Sequence, residues 1–366
     1  MNSPKTQPSA DIIVGLGWGD ECKGATVDFV VAETNADRVV RFNGGQQAAH
    51  NVIVNDTHHT FANYASGTFS KAPTWISEYC TINPITALNE QRSLKSFLND
   101  DTYFIRVHEN TKVTTPLHIL MNHLRERDRG NDRHGSTGTG FGETVAWEYY
   151  GNEPLRAKHM NDYRLIITWL HEYNVVMNLQ VNDVDLKNIA EDMMTSFKKV
   201  FTVVNDEQFL GEISSGHTVF EGAQGFMLDE NFGQAPHNTW STTTPANAKS
   251  ILRRSGVSED LVNVYGCLRT YATRHGAGPM PYENVVKVFE PHNDTSEWAG
   301  AFRTGVWDWS LLKWAVDRVR PDYLSVSWLD VFDKFQTSDG ERVLEDLGAV
   351  GIVANGPRRS DRHWVR

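Results

Sequence analysis

Short apolar runs rich in β-branched and aromatic residues punctuate this chain, and half of them run straight into glycine. The runs at residues 12–16, 38–42, 103–107, 218–221, 262–265 and 323–328 have the length and composition of buried strands. Between them the apolar period changes. Leu186, Ile189, Met193, Phe197 and Val200 recur at spacings of three and four, which predicts a helix over 186–200; the stretch "LIITWL" marks a second over 162–174. Strand, loop and helix in repeated succession predict an α/β fold with a mainly parallel central sheet flanked by helices. The block from about 85 to 205 is the most helical and predicts a helical insertion or cap inside a single domain spanning 1–366. No internal repeat or low-complexity linker interrupts it.

Composition narrows the function classes. The 366 residues are 40% hydrophobic, enough for one large domain or two modest ones. A formal charge of −11 argues against a nucleic-acid partner and still allows a local basic pocket for a small anion. No run of about 18 apolar residues occurs, so no membrane partner is expected, and "MNSPKTQPSAD" leads into no signal-like apolar segment. Cys22, Cys80 and Cys267 lie far apart with no C-x-x-C pair, which indicates neither a disulfide framework nor a zinc site. The expectation is a cytoplasmic, enzyme-like chain with small-molecule substrates.

The first strand run opens "DIIVGLGWGDECKGATVD", residues 11–28. Its glycines and single lysine, Lys23, have the profile of a phosphate cradle, yet the common loop is G-x-x-x-x-G-K-[ST]. Here Cys22 precedes the lysine, Gly24 follows it, and two acids, Asp20 and Glu21, stand where they should repel a phosphate. Further candidate loops follow the other strand runs: "RFNGGQQAAHN" (41–51), "FEGAQGFMLD" (220–229), "RTYATRHGAGPMP" (269–281) and "SWLDVFD" (327–333), with "GSTGTGFG" at 135–142 besides. In such folds ligands gather at the carboxyl ends of strands. Six loops exceed the needs of one mononucleotide and suggest at least two phosphate-bearing ligands. By contrast, His58-His59 reads as a polar turn and the basic run at 125–135 as a solvated helix end. Trp298, Trp307 and Trp309 read as packing residues.

Taken in order, these loops resemble those of adenylosuccinate synthetase. The family's W-G-D-E-G-K-G appears as "WGDECKG" (18–24), G-G-x-N-A-G-H as "GGQQAAH" (44–50), and T-T-G-R-G as "STGTG" (136–140). "FEGAQG" stands unchanged at 220–225, and T-R-x-G-x-G-P-x-P is "TRHGAGPMP" (273–281). R-T-G-W is echoed by "RTGVW" (303–307), T-K-L-D by "SWLD" (327–330) and S-T-G-P by "ANGP" (354–357). The resemblance implies a P-loop-NTPase-related fold, a homodimer, and a ligase that joins L-aspartate to C6 of a 6-oxopurine nucleotide through a 6-phosphoryl intermediate. It also accounts for the acid in the loop, since Asp20 becomes the general base for N1 and, with Ala49, a Mg²⁺ ligand. His50, Lys23 and Gln224 complete the implied catalytic set, as phosphate or O6 partner, charge neutraliser and O6 orienter.

The same match implies an acceptor-nucleotide site of Asp20, Glu21, Cys22, Lys23, Gln47, Ala48, Ala49, His50, Ser136, Thr137, Gln224, Thr239 and Arg303. The donor nucleotide would meet Gly19, Cys22, Lys23, Gly24, Ala25 and Asn51, then Trp328, Asp330, Asn355, Gly356 and Pro357. Aspartate would meet Thr295, Ser296 and Arg303. Several positions depart from the family pattern. Trp328 replaces the lysine that, with an aspartate, reads guanine, so ATP becomes a plausible donor beside the family's GTP. The arginine-rich aspartate loop is reduced to "TSEWAGAFRTG" (295–305), leaving Arg303 as its one arginine, and Thr139 replaces another. For the arginine supplied across a dimer, Arg156 is the candidate. A short chain with these losses resembles the phage branch, which makes 2-amino-2′-deoxyadenylo-succinate from dGMP. The alternatives are an adenylosuccinate synthetase using IMP and GTP, or a non-catalytic nucleotide-binding module.

Overall fold

The computed structural model describes residues 7–100, 102–288 and 297–365. The first apolar run forms β1 (Ser9–Gly15), whose alternation splits two cores. Ala10, Ile12 and Val14 face one, and Ile13 faces the other. Nine further strands join it: β2 (Arg38–Arg41), β3 (Thr74–Ile76), β4 (Ile105–His108), β5 (Phe201–Val204), β6 (His217–Gly225), β7 (Val262–Arg269), β8 (Tyr323–Ser327), β9 (Val350–Ala354) and β10 (Arg362–Trp364). Their spatial order is β10-β9-β8-β7-β1-β6-β2-β3-β4-β5. Every neighbouring pair is parallel except β9 with β10. The α/β fold with a mainly parallel sheet is therefore present, and the carboxyl ends of β1, β2, β6, β7, β8 and β9 share one edge.

All six strand runs read from the sequence are strands, with shifted ends. The run at 103–107 pairs only from Ile105, and the run at 323–328 stops at Ser327 because Trp328 turns into the left-handed region at φ 69°. Four sheet strands went unread. β3 is three residues long, and β5 follows the preceding helix at Val200 without any turn residue to mark the change. His58-His59 is corrected: it lies in the strand Thr57–Phe61, paired with His50–Val54, and the turn is at Asn55 and Asp56.

The helix α1 (Lys23–Thr34) follows β1 directly and is buried from Lys23 through Val31 on every side, as a helix inside a doubly covered sheet must be. Its Asp28 is fully buried and forms a two-pronged pair with Arg359, Nε to Oδ2 at 2.7 Å. Five helices fill the region predicted to be helical: α2 (Pro84–Leu94), α3 (Pro116–Asp128), α4 (Phe141–Tyr149), α5 (Tyr163–Val176) and α6 (Asp183–Val200). Side chains of Asn83, Thr115, Asp162 and Asn182 cap α2, α3, α5 and α6. Trp147, Trp169, Tyr173 and Phe197 build their common core. The region also supplies β4 and β5, so its helices are welded to the end of the central sheet rather than appended to it. Three further helices among the described residues, α7 (Asp206–Ile213), α8 (Ala246–Arg254) and α9 (Trp309–Val319), cover the Ile12 face through Phe209, Ile251 and Leu312. Among the described residues no helix is long and apolar enough to cross a membrane.

Candidate active site

The loop after β1 separates its two acids. Glu21 turns inward: Oε1 accepts from the N–H groups of Gly17 (3.0 Å) and Gly19 (2.7 Å), and Oε2 meets Lys23 Nζ at 2.9 Å. Glu21 and Lys23 are both almost fully buried. The glycines are needed where this carboxylate lies, since a Cβ on Gly15 would come 2.3 Å from Oε2 and one on Gly225 2.6 Å from Oε1. Asp20 turns outward instead. Its side chain is 27% exposed and its Oδ2 lies 3.1 Å from His275 Nε2. Burial opposes its ionisation, but the hydrogen bond and charge of His275, with Arg269 and Lys23 nearby, bring its pKa down to about 2. Cys22, standing where the family motif has glycine, has φ 62° and opens α1, whose first turn carries no acid of its own.

The second loop brings His50 to the same edge. His50 Nδ1 lies 2.5 Å from Glu221 Oε1, and Glu221 also accepts from the N–H of Ser66 (2.9 Å) and its hydroxyl (2.5 Å). Burial lowers the His50 pKa, with Lys23 and Arg41 adding to the effect against Glu221. For Glu221, burial is outweighed by its hydrogen bonds from His50 and Ser66 and by the charge of Arg41. The consistent state is a neutral imidazole donating from Nδ1 to an ionised carboxylate, which leaves Nε2 as an acceptor. Nearby, Gln224 sits at φ 62° with a buried, unpartnered Oε1, and both amide atoms of Gln47 are likewise buried without partners. Unsatisfied amides at a strand's carboxyl end suit a polar ligand.

Among the residues expected to meet the donor, Trp328 follows β8 and packs edge-on to Tyr271, with the Arg269 guanidinium carbon 4.9 Å from its ring centroid. Arg269 in turn donates from Nε to the Asp20 carbonyl and from Nη1 to the Tyr271 hydroxyl at 3.2 Å. Asp330 and Asn355 are exposed here, and the Asn355 N–H donates to the Asp361 carbonyl at 3.0 Å. Gly356 packs on the Asp361 side chain, while Pro357 O accepts from Arg362. Ala25 is buried in α1, and Asn51 Oδ1 accepts from Thr60 (2.7 Å).

Among the residues expected to meet the acceptor, Ser136 Oγ accepts from Asn122 Nδ2 (2.9 Å), and the hydroxyls of Thr137 and Thr139 meet at 2.9 Å. Gln46 Nε2 reaches the Thr139 carbonyl at 3.1 Å and ties this loop to the second one. Thr239 is nearly buried and its N–H donates to Leu228. Ala48 is buried and Ala49 exposed. Arg303 donates from Nη1 to the carbonyls of Gly276 and Gly278, each at 2.8 Å, and its Nη2 meets Glu283 at 2.5 Å. Thr295 and Ser296 lie outside the described residues. Arg156 lies in the helical region, bonded to Glu148, Glu153 and the Asn110 carbonyl. Glu221, Ser66, Arg269 and His275 are the site residues that sequence reading missed. Glu221 and His275 lie inside recognised motifs, and only their packing against His50 and Asp20 marks them.

Asp20 and Ala49 offer a carboxylate and a backbone carbonyl, hard oxygen donors of the type Mg²⁺ takes when phosphates complete its shell. The residues present therefore fit that ion. A different cluster, Glu78, His108 and Asp206, has metal-like spacing, but Arg254 bridges both of its acids, with Nη1 2.5 Å from Glu78.

Comparison with known proteins places the family and the fold. The family model for adenylosuccinate synthetase matches residues 12–338. The adenylosuccinate synthetase of Azobacteroides pseudotrichonymphae is 30% identical over 339 residues, covering 89% of this chain and 79% of that protein. That of Picrophilus torridus is 29% identical over 330 residues, covering 88% and 77%. Among solved structures, fully ligated adenylosuccinate synthetase from Plasmodium falciparum superposes with a TM-score of 0.77 at 17% identity, covering 97% of this chain and 99% of that one. The cyanophage S-2L succinoaminodeoxyadenylate synthetase, bound to dGMP and to dATP as an energy donor, superposes with a TM-score of 0.70 at 17% identity, covering 98% and 96%.

Two outcomes test the geometry. Glu21→Ala leaves Lys23 buried without its partner and strips two loop N–H groups of their acceptor, so it should cost about 3–5 kcal/mol in denaturant unfolding. A loss under about 1 kcal/mol would show that the loop does not depend on this carboxylate. Because the His50 pKa lies below its ordinary 6.5 in the free protein, a phosphate arriving at Nε2 should raise it. Triphosphate binding near pH 7.5 should then take up protons, increasingly as pH falls toward 6.5. Calorimetry in buffers of differing ionisation enthalpy reads this, and equal uptake in His50→Asn would remove His50 from the phosphates.

Proposed function

The chain belongs to the adenylosuccinate synthetase family, a nucleotide-dependent carbon–nitrogen ligase joining aspartate to a purine nucleotide, and within it we propose that this enzyme uses dGMP as acceptor and ATP as donor. The product would be 2-amino-2′-deoxyadenylo-succinate, with ADP and phosphate released. The observation that carries the donor half of this reading is Trp328, an indole against Arg269 where the family has its guanine-reading lysine. An aromatic face stacks on any purine and selects no donor edge. The cyanophage enzyme of the same fold, bound to dGMP and dATP, is a precedent for an adenine donor. The reading with IMP and GTP is favoured by the sequence relatives, which are adenylosuccinate synthetases, and by the retained Asp330.

The site suggests the following chemistry. Asp20, ionised and partly exposed, takes the N1 proton of the acceptor, and the freed electron density makes O6 the nucleophile. O6 attacks the γ-phosphorus and the nucleoside diphosphate leaves, with Lys23 and the first turn of α1 offsetting charge on the phosphates. The aspartate amine then attacks C6, and phosphate departs with the O6 oxygen. His50, held by Glu221, hydrogen-bonds the transferring group and returns a proton once phosphate has raised its basicity. Gln224 supplies an amide for O6. Asp20 and Ala49 would hold a Mg²⁺ ion, which would supply charge neutralisation at the triphosphate.

Asp20→Asn should retain nucleotide binding within about tenfold while turnover drops by at least about 10²; turnover near wild type would take Asp20 out of the mechanism. Steady-state rates should favour dGMP over IMP by about ten- to a hundredfold at equal low concentration, because IMP would leave an acceptor for the 2-amino group unpaired. ATP should serve at least as well as GTP. A tenfold preference for IMP or for GTP would return the enzyme to ordinary adenylosuccinate synthesis. Binding without conversion of either acceptor would favour the non-catalytic module.

A further inference from the structure

Trp298 joins two loops that carry different substrates. Its indole stacks on the His123 ring with centroids 4.0 Å apart and planes 4° from parallel, while the guanidinium carbons of Arg127 and Arg133 lie 5.4 and 5.8 Å from its ring centroid. His123 Nε2 donates to the Gly138 carbonyl at 2.8 Å, so the stacked imidazole is itself fixed to the 136–140 loop. Gly138 lies directly beneath the indole: at φ +74°, a Cβ there would come 2.6 Å from the Trp298 ring. Arg133 Nη1 adds a bond to the Glu297 carbonyl at 3.2 Å. At its far end the 297–301 segment enters the hairpin of Ala272–His275 with Phe302–Gly305, where the Gly276 N–H donates to Ala301 O at 2.9 Å. That hairpin carries Arg303.

We infer that Trp298 is a positioning residue that couples aspartate binding to the acceptor nucleotide. The inference rests on the ligase reading above, in which Ser136 and Thr137 meet the acceptor and Arg303 meets aspartate. An acceptor phosphate that fixes the 136–140 loop also fixes Gly138 and the carbonyl that His123 holds. The stacked pair passes that constraint to Trp298 and so to the segment leading to Arg303. Ordering the loops together means the second ligand meets a segment already arranged. In this role the indole acts through the segment leading to Arg303 and need not meet substrate itself. Its wide, rigid face, held between an imidazole and two guanidinium groups, suits a joint that must transmit position.

The test is Trp298→Ala in the full chain, with Trp298→Phe and His123→Ala alongside. In Trp298→Ala the aspartate KM should rise at least tenfold while kcat falls less than threefold. Trp298→Phe, which keeps a ring for His123 to stack on, should recover the aspartate KM to within threefold of wild type. His123→Ala should reproduce the Trp298→Ala defect. A second readout needs no turnover: without donor, calorimetric titration of L-aspartate should show tighter binding when dGMP or IMP is present, and this coupling should vanish in Trp298→Ala. An aspartate KM within twofold of wild type, unaltered coupling, or a phenylalanine variant no better than alanine would each overturn the inference. If the wild-type protein converts neither acceptor, the ligase reading fails while the coupling titration still decides the role of Trp298.

Discussion

A carboxylate shut inside its own loop sets the geometry of this site. Glu21 gathers two backbone N–H groups and an ammonium within the turn proposed to face phosphate. Such a buried ion pair is costly to assemble, and it is tolerated only where hydrogen bonds satisfy the remaining lone pairs. The glycines around it follow from the space the carboxylate occupies, and with Glu21 inside, its neighbour Asp20 is presented to solvent. An acid that repels phosphate when read as a string of letters thus divides into two acids with opposite directions. One shapes the cradle from within, and the other, the proposed base and cation ligand, stands at its mouth.

The same edge ties its parts together through arginine. Arg269 touches the Trp328 indole and the Asp20 carbonyl at once, so the surface offered to a donor base and the loop that carries the proposed base share one guanidinium. A lysine there would keep the charge and lose both the flat stacking face and the fixed fork. Glu221 does similar work for His50, fixing which ring nitrogen carries hydrogen and hence which faces outward as an acceptor. Neither residue needs to meet substrate to govern one proposed to do so.

The sheet was largely legible because its central strands are apolar runs closed by glycine, and because Leu186 to Val200 keep a clean helical period. Strands β3 and β5 escaped because one is three residues long and the other begins at a helix end with no turn residue between them. The site was legible through its motifs only to the first layer. "FEGAQG" was recognised whole, yet nothing in the string says that Glu221 reaches back 171 residues to His50. His275 occupies a variable position within its motif, and its contact with Asp20 arises only when β7 is laid beside β1. Packing across a parallel sheet brings together residues whose separation in sequence carries no period, and pattern reading has no access to that.

Arg303 shows how composition alone misleads about charge. Counted in the sequence, it is the surviving arginine of a loop meant for a dicarboxylate. In the structure its guanidinium already holds two carbonyls and the Glu283 carboxylate. Glu283 is itself held below the ordinary carboxylate range, first by its hydrogen bond with Arg303, so the pairing neutralises the positive charge an incoming aspartate would seek. A dicarboxylate must therefore either displace Glu283, exchanging one acid for another, or approach a guanidinium whose charge is already balanced. In both cases electrostatic attraction at Arg303 is weaker than the residue count implies, and more of the selectivity for aspartate falls to the placement of the surrounding loop. That placement is set by backbone contacts among the 135–140, 274–279 and 297–303 segments, where the Gly276 N–H meets Ala301 and Gly138 lies against an indole. A site with fewer cations has to gain by arrangement what it lacks in charge.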